Sequence, residues 1–130
     1  MTRPASQPAD HSTVSAYVMA QGARDLMDFL GTVFGATTLM AIAREDGSLM
    51  HASLKIGDSV VMIAEATADH PAFPAWLHVY VDDVDATHAA ALDKGATEVE
   101  APSSKGDGDR RGGFRDACGN VWWIATPVRL

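Results

Sequence analysis

Gly35-Ala36-Thr37 recurs as Gly95-Ala96-Thr97, and Val60-Val61-Met62-Ile63-Ala64 recurs as Val121-Trp122-Trp123-Ile124-Ala125. The first pair is offset by 60 positions and the second by 61. The residues around each copy follow one order. Before the first GAT, Ser15 to Met19 is a short apolar run that reads as a strand. Leu26, Met27, Leu30, Val33 and Phe34 then recur at helical steps, and Gly35 stands where a left-handed residue ends a helix. After it, Thr37–Ala43, the alternating Ala52–Ile56 and Ser59–Ala64 read as three strands. The last two are joined by the hairpin signal Gly57-Asp58. The second copy repeats this with a strand at Trp76–Val81 and a helix opening on Asp82, Asp83 and Asp85, where carboxylates suit the macrodipole. Val84, His88 and Ala91 mark the inner face of that helix, and strands follow at 97–101, 111–115 and 121–126. Three or more repeats would indicate a solenoid, whereas two copies of some sixty residues indicate a paired-module domain. The expected fold is α+β, with tandem βαβββ modules at 13–66 and 75–130, a Pro-containing linker at 67–74 and a disordered tail at 1–12.

Composition bounds the function without naming it. The chain has 130 residues, with 10 Lys+Arg against 17 Asp+Glu, a formal charge of −7. One domain is the expectation at that length. A hydrophobic share of 47% and a charged share of 21% describe an ordinary folded protein. The acidic balance argues against nucleic acid or an anionic membrane as partner, since both require a basic face. The single cysteine, Cys118, excludes an intramolecular disulfide and any multi-cysteine metal site. It lies in a turn with no base beside it, so a catalytic thiol is not expected. No apolar run is long enough for a membrane span and none resembles an export signal, which makes the cytoplasm the default compartment. The segment Gly106-x-Gly108-x-x-x-Gly112 misses the dinucleotide spacing by one residue and opens a strand, not a helix.

The words of the sequence also resemble a known family. Phe29–Ala36 (FLGTVFGA) is similar to the F-Y-x-x-x-F-G-A helix end of the vicinal oxygen chelate superfamily, which contains glyoxalases, bleomycin-resistance proteins and extradiol dioxygenases. His51–Val60 resembles its H-A-x-L-x-I-G-D-S strand pair, and Val81–Ala86 its V-x-D-V-D-A motif. Gly108-Asp109-Arg110, with Asp116, Gly119, Trp122, Ile124, Ala125 and Thr126, resembles the closing G-D-R…D-P-x-G-x-x-W-x-I-A-T of the PhnB-like, glyoxalase-like branch. The match departs at Leu30, Ala117 and Cys118. The resemblance covers 14–127 and implies curved mixed sheets around a cup, a divalent metal in that cup, and a homodimer. Carried over to this sequence, the metal-ligand positions fall on Ser15, Met62, Trp76 and Trp123. None of these replaces imidazole or carboxylate. Neither a metal nor any other cofactor is therefore expected.

Strand alternation then predicts the cup lining. One parity collects Ser15, Tyr17, Met19, His51, Ser53, Lys55, Val60 and Met62, and from the second module Trp76, His78, Tyr80, Arg111, Gly113, Arg115, Val121 and Trp123. The other parity (Leu54, Ile56, Val61, Ile63, Leu77, Val79, Val81, Phe114, Ile124) is apolar throughout and belongs beneath the helices. The candidate ligand-binding residues are Tyr17, Met62, Trp76, His78, Tyr80, Arg111 and Trp123, the aromatic lining usual in a small-molecule pocket. Each has a plainer reading too. The tryptophans can fill volume, His78 can be structural, and Arg110, Arg111 and Arg115 can be solvated or paired with Asp107 and Asp109. His51, Lys55, Arg111 and Arg115 together suggest a locally positive cup. The expected function is binding of a small aromatic or anionic molecule. The alternatives are a glyoxalase-type lyase, isomerase or dioxygenase with a displaced metal site or with His78 and Tyr80 as acid–base groups, and a structural partner module.

Overall fold

The structure, a computed structural model, describes residues 6–128. Of the tail expected at 1–12, residues 1–5 lie outside the described residues. The rest of that segment contains neither helix nor strand. The elements follow in the order expected: β1 (Ala16–Ala20), α1 (Ala23–Phe34), β2 (Thr37–Ala43), β3 (Leu49–Ile56) and β4 (Ser59–Glu65), then β5 (Trp76–Tyr80), α2 (Val84–Asp93), β6 (Thr97–Ser104), β7 (Asp109–Arg115) and β8 (Val121–Pro127). They form two four-stranded mixed sheets of matching topology, β1-β4-β3-β2 and β5-β8-β7-β6. In each sheet the first strand runs parallel to the last, and the remaining pairs are antiparallel. Among the described residues no helix is long and apolar enough to cross a membrane.

The strand edges differ from the sequence reading for local reasons. β3 begins three residues before Ala52, because Leu49–His51 continue the ladder with β2. β6 runs on past Ala101 and through Pro102, between register shifts. Proline lacks the N–H that a central strand must donate, so it is tolerated at this irregular outer strand.

Helix boundaries are set partly from outside the helices. Gly35 closes α1 at φ 65°, a left-handed conformation that costs a residue with Cβ and leaves glycine unstrained. At the other end of α1 no local side chain caps the helix. Glu65, the last residue of β4, instead accepts hydrogen bonds from Gly22 N and Ala23 N, the latter at 2.9 Å. Thr126 is its counterpart one module later, 61 positions on. Its hydroxyl accepts from Val84 N at 3.0 Å and donates to Val81 O. Asp83 adds a local cap on Ala86 N. In both modules, therefore, the end of the last strand holds the start of the helix.

The two modules share one core. Leu26, Phe29, Leu30 and Val33 of α1, Val84 and Ala91 of α2, Leu54, Val61 and Ile63 of the first sheet, and Phe114, Trp122 and Ile124 of the second form a single buried cluster. Phe34 bridges the modules, with its ring 6.2 Å from that of Phe114 and 5.3 Å from that of Trp122. The strand residues of this cluster belong to the apolar parity. The other parity consequently faces away from the shared core on both sheets. Trp76 is 74% exposed, Tyr80 63% and Tyr17 53%. The exposed rings of the two faces that the resemblance places around one cup thus stand on separate sheets.

Candidate functional site

Of the seven candidate residues, five meet on the outer face of the second sheet. Register places Trp76 level with Val121 and Arg115, His78 level with Trp123 and Gly113, and Tyr80 level with Ala125 and Arg111. The Trp123 ring lies on Gly113, where a Cβ would fall only 2.6 Å from the indole. Absence of a side chain at 113 is what allows the ring to lie over the sheet. Trp76 stands beside it, with ring centroids 5.6 Å apart and planes tilted by 60°.

A buried carboxylate supports this platform. Asp116 accepts from Cys118 N, Asn120 N, the Asn120 amide and Trp122 Nε1, the last at 2.8 Å. Asn120 Oδ1 in turn accepts from Ala75 N at 2.9 Å. One turn between β7 and β8 therefore fixes the start of β5, which carries Trp76, and the start of β8, which carries Trp123. Sequence reading matched Asp116 to a motif but assigned it no role, because its partners lie in a turn whose closure alternation cannot show.

Next to the tryptophans is a polar cluster. Arg111 donates through Nε to His78 Nε2 at 3.1 Å, through Nη1 to Asp107 at 2.9 Å and through Nη2 to Asp109 at 2.7 Å. Tyr80 OH donates to the same Asp109 oxygen at 3.0 Å, and its ring meets that of His78 edge-on at 4.8 Å. Burial and then the Arg111 charge hold the His78 pKa below the ordinary histidine value. With Nε2 accepting, the neutral ring carries its proton on Nδ1 and offers that N–H as a donor. The hydrogen bond to Asp109 pushes the Tyr80 phenol upward, so it stays protonated. Arg111, with its own pKa raised by Asp107, is already held by two carboxylates. The positive cup expected from the sequence is not formed here: this end has one cation against two carboxylates. Arg110 turns elsewhere, pairing with both oxygens of Asp85 at 2.8 and 2.9 Å.

The other two candidates, Tyr17 and Met62, lie on the outer face of the first sheet, level with each other and with Ser53. Tyr17 OH is 3.2 Å from His51 Nδ1, and His51 Nε2 is 3.1 Å from Ser53 Oγ. This chain resembles a nucleophile relay, but Ser53 is wholly buried and no solvent-borne substrate reaches it. The pair Tyr17–His51 stands at the same place in its module as His78–Arg111 in the other. Both modules thus carry one side chain of the first strand bonded over the last strand to one on the third. Strand alternation places all four on one parity, although His51 is not among the seven candidate residues.

The remaining groups fit plainer roles. Burial and the carboxylates of Asp116, Glu65 and Asp25 push the Cys118 thiol up to about 11, which keeps it from acting as a thiolate. His88 is buried in α2 with Nε2 2.9 Å from Glu98 and its ring against Phe114. A hollow of about 1020 Å³ is an open groove between the modules. It follows the free edge of β5 to Ile56 and Phe34 and is reached from both faces of that strand, by Leu77, Val79 and Val81 on one and by Trp76, His78 and Tyr80 on the other.

Comparison with known proteins agrees with this architecture. The family model for the Glyoxalase/Bleomycin resistance protein/Dioxygenase superfamily matches residues 11–124, and the chain belongs to that superfamily. The uncharacterized protein Mb0911c of Mycobacterium bovis is 32% identical over 130 residues, covering 89% of this chain and 84% of that protein. Among solved structures, TioX from Micromonospora sp. ML1 superposes with a TM-score of 0.72 at 23% identity, over 92% of this chain and 98% of that one. TnmS3, an antibiotic binding protein from Streptomyces sp. CB03234, superposes with a TM-score of 0.68 at 22% identity, over 91% of this chain and 100% of that one.

Proposed function

We propose that this protein binds a small planar aromatic molecule on the outer face of its second sheet, within the PhnB-like branch of its superfamily. We propose further that the first sheet of a second copy closes the cup. The reading rests on one observation: Trp76 and Trp123 stand side by side on a solvent-facing sheet, the second laid flat by Gly113. Exposed indoles are costly in water and suit stacking against a ring. His78 Nδ1–H supplies a donor beside the platform. The first sheet brings exposed Tyr17, Met40 and Ile42 with half-buried Met62 to the opposing wall. Structural likeness to an antibiotic binding protein is consistent with this role.

The superfamily's metal does not fit these residues. Ser15, Met62, Trp76 and Trp123 occupy the positions where ligands would be needed. Among the described residues no three His, Cys, Asp or Glu side chains are grouped to hold an ion. The test is tryptophan fluorescence during titration with a panel of acridine, phenanthrene and pyrene derivatives. Trp76 and Trp123 are expected to be quenched while the fully buried Trp122 is spared. Silence across the panel overturns the reading. Stoichiometric iron, nickel, zinc or manganese in protein purified without chelator would favour the metal-dependent enzyme instead.

A further inference from the structure

We propose that the ligand taken by the second sheet is dipolar: a planar ring system that carries both a cationic group, received at the Asp107–Asp109 end, and an anionic group, received by Arg115. The inference rests on the aromatic-platform reading above and adds the charge pattern along β7. Arg111, Gly113 and Arg115 follow one another on the outer face, and Trp123 covers the middle position. At one end Arg111 is outweighed by Asp107 and Asp109, and the Asp107 side chain is 52% exposed, open to a cation. At the other end Arg115 is exposed and, among the described residues, has no ion-pair partner. Four residues of extended strand separate the ends by roughly 13 Å, about the span of a tricyclic ring system with substituents. The neighbouring strand adds no net charge on this face, since Glu100, level with Gly113, is paired with Lys105, while Glu98 turns to His88 of α2. A ring stacked on Trp123 therefore has an excess of carboxylate on one side and a free guanidinium on the other. An anion aimed at Arg111 would find its donors engaged and two carboxylates in its way.

Three dyes with one xanthene core test this: rhodamine 110, a zwitterion at neutral pH; rhodamine 123, its cationic methyl ester; and fluorescein, an anion. Dye anisotropy and tryptophan quenching should rank rhodamine 110 first, by roughly three- to tenfold over each of the others. Arg115→Gln should remove the advantage of rhodamine 110 over rhodamine 123 and leave rhodamine 123 unchanged. Asp107→Asn should weaken both rhodamines alike. Both substitutions are at exposed positions, and circular dichroism checks that the fold is kept. The dipolar inference is overturned if rhodamine 123 or fluorescein binds as tightly as rhodamine 110, or if Arg115→Gln has no effect. It is equally overturned if all three dyes are silent while neutral members of the aromatic panel bind. In each of those cases the aromatic platform stands. Silence of the dyes and the panel together overturns both.

Discussion

Trp123 lies flat because position 113 has no side chain, so the platform depends on one absent methyl group. Gly113→Ala would place a carbon 2.6 Å from the indole. The ring must then lift from the sheet, and we expect loss of quenching by planar ligands with the fold retained, measured by titration and circular dichroism. A variant that binds the panel as the parent does would refute the role of Trp123. His78 offers a second test at this scale. Because burial and Arg111 lower its pKa, the folded form resists protonation more than the unfolded form. Its contribution to stability is therefore complete above the unfolded value near 6.5 and is lost as pH falls towards the folded value. NMR titration should find His78 below the ordinary range. In Arg111→Gln it should move upward, since a nearby cation is gone and Asp109 remains. Parity placed Arg111 and His78 on one face from sequence alone. That Arg111 would be held by Asp107 and Asp109 was one of two readings, and the loop closure around Gly106 and Gly108 decided between them.

Strands and helices here depend on one another at their ends. Glu65 satisfies the first N–H groups of α1 from the end of β4, as Thr126 does for α2 from the end of β8. Glu65→Ala leaves those donors without their carboxylate, and we expect a loss of about 1–2 kcal/mol in urea unfolding. A change within error would mean that water replaces the carboxylate at no cost. Thr126→Val should act in the same direction at α2, by less, because Asp83 still caps Ala86. The helices themselves were legible as apolar periodicity and a terminating Gly35. Their N-terminal caps were only half legible: Asp83 is local, but Glu65 acts across more than forty residues. Likewise β3 and β6 extend beyond their apolar alternation, because the neighbouring strand continues the ladder.

At the scale of the molecule, the proposed closure of the cup by a second chain can be tested directly. Sedimentation equilibrium should give twice the 13.8 kDa chain mass at micromolar concentration. A monomer that still binds aromatic ligands would confine the site to the second sheet alone, and Trp76→Glu should weaken any dimer that buries that ring. The groove along the free edge of β5 offers further surface for such a contact, its walls apolar at Leu77, Val79 and Ile56. The acidic total and lone cysteine read from composition are compatible with this arrangement but do not select it.

Local rules written along the chain determined much of this protein. The repeat at offsets of 60 and 61 defined two modules, helical periodicity and glycine positions bounded the helices, and strand alternation sorted core from outer face. Those features survive because each depends on neighbours a few residues away. Tertiary structure alone decided how the modules pack. Phe34 reaches Phe114 and Trp122 because the two apolar faces bury more surface against each other and the helices than either could alone. That packing turns both candidate faces outward. It separates Tyr17 and Met62 from Trp76, His78, Tyr80, Arg111 and Trp123, and no spacing along the chain encodes which way a sheet faces.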